Sequence, residues 1–204
     1  MNKLLTFILI FLSVFKMMAQ VEDVSITIST AAEYTIWDDA AGLDNGSLLG
    51  GKIGFGLGEY IELRATYMQG LDLQTNFETF GLSSFSEGLI PQRDVDLTRW
   101  GGELKANFGT KTRLNPYLTL GSGVQTIQLQ DFEENEQIFA TFGLGAKFNL
   151  GKRIVLALEA KNTMFNFNAG SRLLTATDQS ALAVTDADFN TETLSNWSAM
   201  ASLQ

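Results

Sequence analysis

The sequence predicts an all-β fold: an eight-stranded antiparallel up-and-down transmembrane β-barrel. Three observations carry this. Apolar residues alternate with polar or small ones at a period of two in eight segments, the connections between segments alternate between short and long, and the non-apolar face mixes glycine with charges of both signs. A period of two is the strand signal. Short turns at one end and long loops at the other are the layout of transmembrane barrels.

In chain order, residues 1–19 read as a secretory signal peptide and 20–204 as the barrel domain. Lys3 gives a positive start, Leu4 to Phe15 is an apolar run of 12 residues, and Ala19 is placed to end the leader. A spanning helix needs about 20 apolar residues, so this run is too short for one. The first strand is expected over 24–37, where Val24, Ile26, Ile28, Ala32, Tyr34 and Ile36 share a face. The others are expected over 48–57, 61–70, 95–108, 117–129, 137–149, 154–166 and 194–204, with no regular helix after the leader. Ile138 to Asn149 is the clearest: Ile138, Ala140, Phe142, Leu144, Ala146 and Phe148 oppose small or polar neighbours. The turns near 57–60, 109–113 and 150–153 are short and fall on the periplasmic side. The segments 38–47, 71–94, 130–136 and 167–193 are read as extracellular loops.

The polarity of the second face separates a membrane barrel from a soluble one. It carries Glu33, Lys52, Glu62, Arg64, Arg99, Glu103, Lys105, Lys147, Glu159 and Lys161 among Gly, Ser and Thr. Charges inside a narrow barrel need partners, and mixed signs supply them. Pairing Leu57 with Ile61 sets Glu62 opposite Gly56 and Arg64 opposite Gly54. Pairing Phe148 with Ile154 sets Glu159 opposite Gly143, or Gly145 after a two-residue shift. Pairing Phe108 with Leu118 sets Glu103 and Lys105 opposite Gly123 and Gly121. Large charges facing glycines fit a lumen filled by side chains. Glu62, Arg64, Arg99, Glu103, Lys105, Glu159 and Lys161 are therefore expected to form a structural ion-pair network that plugs the barrel. Tyr34, Tyr67, Trp100, Phe108, Phe148 and Trp197 are expected in interfacial girdles on the apolar face. The apolar face also predicts a protein that folds only in detergent or lipid.

Composition excludes several functions. Lys3 and Lys16 are the leader's only charges, so losing it takes 14 basic residues to 12 against 23 acidic, a net charge of −11. That disfavours nucleic acid as a partner. With no Cys there is no disulfide and no thiolate metal site, and with no His there is no histidine base. Asp186 to Glu192 alternates oxygen ligands, but Thr191 stands where a calcium loop has Gly and Trp197 where it has Glu. It reads as a solvated acidic loop. No catalytic, cofactor or metal site is expected.

The leader ending Ala19-Gln20, the segments Glu59 to Tyr67 and Pro116 to Gly123, and Gly143 to Phe148 resemble the outer-membrane protein β-barrel family, the group around the OmpA transmembrane domain and OmpX. The resemblance spans the whole chain after the leader. It implies a non-enzymatic barrel of the Gram-negative outer membrane with a structural, membrane-integrity or adhesion role. A small low-conductance channel is the first alternative and a soluble lipocalin-like ligand-binding barrel the second. The implied partners are outer-membrane lipid, lipopolysaccharide and the barrel assembly machinery, with a monomeric state. Family strands usually end on an aromatic residue, whereas Ser195 to Gln204 stops without one. The chain is therefore expected to continue beyond Gln204.

Overall fold

The computed structural model describes residues 24–76, 92–108, 114–129, 135–151, 154–168, 173–182 and 191–204. The expected signal peptide lies outside them. So do residues 77–91 of the second expected loop and 183–190 of the last.

The described strands are β1 (Val24–Ile36), β2 (Gly46–Leu57), β3 (Ile61–Leu71), β4 (Leu73–Gln74), β5 (Asp94–Asn107), β6 (Leu114–Leu129), β7 (Asn135–Asn149), β8 (Val155–Phe167) and β9 (Glu192–Leu203). Each pairs antiparallel with its neighbours in the order β3-β2-β1-β9-β8-β7-β6-β5-β4, and β3 also pairs with β5. The sheet therefore closes on itself. β4 continues β3 past Asp72, whose φ of 48° interrupts the extended backbone, and both lie against β5. The wall thus has eight staves, as the alternation predicts. Closure leaves no sheet edge to satisfy, which is what a β structure in lipid requires.

Burial along the strands follows the alternation and inverts a soluble protein. Ile28, Ile138, Leu120 and Leu144 are 61–79% exposed, while Lys52, Arg64 and Lys105 on the other face are at most 4% exposed. Tyr34, Tyr67, Trp100, Phe108, Phe148 and Trp197 all lie on the exposed face. Tyr67 pairs with Trp100 toward the loop end, and Phe148 sits at the turn end of β7. A soluble ligand-binding barrel would hide the apolar face, so that alternative is set aside.

Three expectations need correction. The fifth expected strand, observed as β6, starts at Leu114, not 117, and takes in Pro116. Its carbonyl accepts a hydrogen bond from Phe108 N at 2.8 Å. The N–H that proline lacks would fall on this last rung beside the turn, where the cost is small. One register also differs by two residues, and a second takes the shifted of the two expected alternatives. Ala106, not Phe108, pairs with Leu118, because Leu114 to Pro116 joins the ladder with β7 and draws β6 toward the turn. Leu156, not Ile154, pairs with Phe148, because Leu150 N donates to Ile154 O at 3.0 Å and tightens that turn. A shift of two keeps every side chain on its face. Third, Ala176–Leu182 is a helix, α1, inside the last loop. Its start is a reciprocal cap: Asp178 N donates to Thr175 Oγ1 at 3.0 Å, and Thr175 N donates to Asp178 Oδ2 at 2.8 Å.

Candidate functional site in the barrel lumen

All seven residues proposed from the sequence project into the lumen and are at most 5% exposed. They fall into three groups. At the centre, Glu103 of β5 forms ion pairs with Arg64 Nη2 at 2.7 Å, Lys161 Nζ at 2.7 Å and Lys52 Nζ at 3.4 Å. Glu159 of β8 faces the same cations at 3.4, 3.5 and 4.0 Å. These side chains come from four strands around the wall; Arg64 and Glu103 are neighbours across β3 and β5, while Lys161–Glu103 and Arg64–Glu159 cross the lumen. Toward the turns, Lys105 meets Glu62 at 3.0 Å and Thr27 Oγ1 donates to Glu62 at 2.8 Å. Toward the loops, Arg99 meets Glu33 at 3.0 Å and donates to Gln125 Oε1 at 3.0 and 2.7 Å.

Glycines make room for this. Gly54 and Gly56 stand opposite Arg64 and Glu62 as expected. Glu103 faces Gly121, and Glu159 and Lys161 face Gly145 and Gly143. Both Glu103 and Lys105 depart from the expected partners Gly123 and Gly121 because of the shifted register, and Lys105 faces Thr119 in place of a glycine. A Cβ on Gly54 would collide with the Glu62 carboxylate, and one on Gly145 with the Tyr117 ring.

Glu33 and Lys52 were visible on the charged face but were not assigned to the network. Their cross-lumen partners sit 66 and 51 residues away along the chain, a distance that strand parity does not encode.

The loop end of the lumen is apolar, which the sequence reading missed. Leu48, Met68, Val95, Leu97, Ile127, Leu129, Phe139, Phe165 and Phe167 all point inward and are buried. The signal was present as a reversal of polarity at constant parity. In β5, Asp94 and Asp96 are exposed while Val95 and Leu97 are buried, whereas nearer the turn Leu104 is exposed while Glu103 and Lys105 are buried. A membrane needs about 9–11 residues per strand, and these strands run to 16. Their outer ends stand beyond the lipid, where water restores the polar-out, apolar-in arrangement.

Trp37, Leu43, Leu173 and Leu174 from two loops close this layer from above. Trp37 packs edge-on against Phe165 at 6.5 Å. The lid is fastened by Arg93, whose guanidinium meets Asp178 at 2.6 and 2.9 Å. Burial pushes the Asp178 carboxyl up, but hydrogen bonds from Arg93 and Thr175 outweigh it and hold it at about 2. The bond to Asp178 also raises the Arg93 guanidinium. No group of acids able to hold a metal occurs among the described residues.

The sequence matches the model of the outer membrane protein beta-barrel domain over residues 7–196. No curated protein matches it. Among solved structures, Neisserial surface protein A (NspA) superposes with a TM-score of 0.61 at 12% identity, over 89% of this chain and 97% of that one. OprG from Pseudomonas aeruginosa gives 0.46 at 15% identity, over 88% of this chain and 92% of its own. Ail, the attachment invasion locus protein of Yersinia pestis, gives 0.46 at 16% identity, over 88% and 95%. At these identities the structural likeness concerns the fold. The family match covers most of the chain, and the closed wall with its apolar exterior agrees with it: the chain belongs to the outer membrane protein beta-barrel domain family and is a protein of the outer membrane.

Proposed function

We propose that this barrel is a non-catalytic, closed structural element of the outer membrane, acting through its wall and its outer surface in membrane integrity or adhesion. The observation that supports this is the double filling of the lumen: an ion-pair belt at mid-height and an apolar layer under the loops. A lumen of eight strands is just wide enough for side chains to fill. The belt plugs it because each carboxylate meets cations from other strands, and removing one partner would strand a buried charge. Among the described residues, each lumen carboxylate is paired with a cation.

The test is a strain lacking the protein. A structural role makes that strain more sensitive to detergents while its uptake of small hydrophilic solutes stays as before. A fall in small-solute uptake, with detergent resistance unchanged, would favour the low-conductance channel instead.

A further inference from the structure

The charges of the lumen do not balance, and the imbalance is localised. Arg99 and Glu33 cancel. The central belt sets Lys52, Arg64 and Lys161 against Glu103 and Glu159. Below it, Lys105 meets Glu62, and Lys147 stands on β7 two residues turnward of Gly145, the register partner of Tyr117. The surplus is two positive charges among the described residues, one in the belt that holds Arg64 and one between the belt and the turns.

The donors there are also short of acceptors. Arg64 uses Nη2 for both belt carboxylates. Its Nε and Nη1 are buried and meet no hydrogen-bond acceptor among the described residues. Lys105 is fully buried, and its Nζ has Glu62 as its ion-pair partner at 3.0 Å, in a direction that makes no hydrogen bond. Both cations lie over the ring of Tyr117, Lys105 Nζ at 4.6 Å and Arg64 Cζ at 5.9 Å from its centre. Lys147 is half-buried and lies on the same face of β7 as Gly145, whose backbone pairs with that of Tyr117. Asn107 Oδ1, two residues along the same face from Lys105, is also unpartnered, but a neutral oxygen does not offset two charges. Arginine does not shed its proton in a protein, and an uncompensated buried charge is costly.

We propose that a small inorganic anion, of halide or phosphate size, binds among Arg64, Lys105 and Lys147 at the turn end of the lumen. Cations converging from three strands, with unused donors on a shared aromatic floor, recognise compact negative charge. The site lies on the turn side of the belt, so it does not depend on whether the belt passes solute.

The test uses the full chain in detergent, unfolded by urea at constant ionic strength, with sodium gluconate replaced stepwise by sodium chloride or inorganic phosphate. A bound anion raises the midpoint in a saturable way, because it stabilises only the folded state. Lys147→Gln should weaken the apparent affinity about tenfold, the loss of one charge-assisted contact, while Arg93→Gln at the opposite end leaves it unchanged. Bromide-soaked crystals should show an anomalous peak between Arg64 and Lys105. A midpoint indifferent to anion identity, a chloride dependence intact in Lys147→Gln, or bromide peaks confined to the surface would each overturn the site.

Discussion

Arg99 and Glu33 meet at 3.0 Å with no second ion pair on either, whereas Glu103 gathers three cations. The two arrangements should respond differently to mutation. Arg99→Met or Glu33→Leu alone leaves a buried, unpaired charge and is expected to cost about 3–5 kcal/mol. The double variant should cost far less than the sum. Glu159→Gln, with cations that keep Glu103, should cost less than either single change at Arg99 and Glu33. A double-mutant cycle read by urea unfolding in detergent checks this; additive effects of under about 0.5 kcal/mol each, typical of exposed sites, would mean that these charges are solvated. At this scale much was legible in the sequence. Parity placed all seven proposed residues inside, since it depends only on local backbone geometry. Partners such as Lys52 to Glu103 were not legible, because they are set by closure around the barrel.

The elements show where local rules suffice and where they stop. The eight strands followed from alternation, but the β5–β6 register slipped by two residues, and the β7–β8 register took the shifted of its two expected alternatives, where Leu150 N donates to Ile154 O. Helix α1 was missed although Thr175 and Asp178 have capping-box spacing; seven residues within a polar loop give little periodicity. Asp178 then does two jobs, capping α1 and holding Arg93. Its folded-state pKa of about 2 lies below its ordinary 3.8, so its contribution is complete above about pH 4 and is lost as pH falls through 2. The latch should therefore be unaffected between pH 7.5 and 4.5. A carbon-detected carboxyl titration in micelles is expected to place the Asp178 midpoint near 2 and to move it up toward 3.8 in Arg93→Gln. A wild-type midpoint already at 3.8 would mean the latch is not formed.

Across the whole molecule, the same strands obey two opposite rules. Within the membrane the wall is apolar outside and charged inside; above it the wall is polar outside and apolar inside. The first rule was read from the sequence because it covers most of each strand. The second occupies only the loop-side ends, and there the lid comes from Trp37, Leu173 and Leu174, which lie outside the strands in the loops that follow β1 and β8. On the function proposed above, the two layers together close the lumen. Planar-bilayer recording of the purified, refolded barrel in molar potassium chloride tests that closure most directly. A filled lumen is expected to give no stepwise current in the wild type, and none after Asp178→Asn loosens the lid, since the ion-pair belt still blocks the passage. Regular ohmic steps from the wild-type barrel would contradict it and show a continuous water-filled path through the charges.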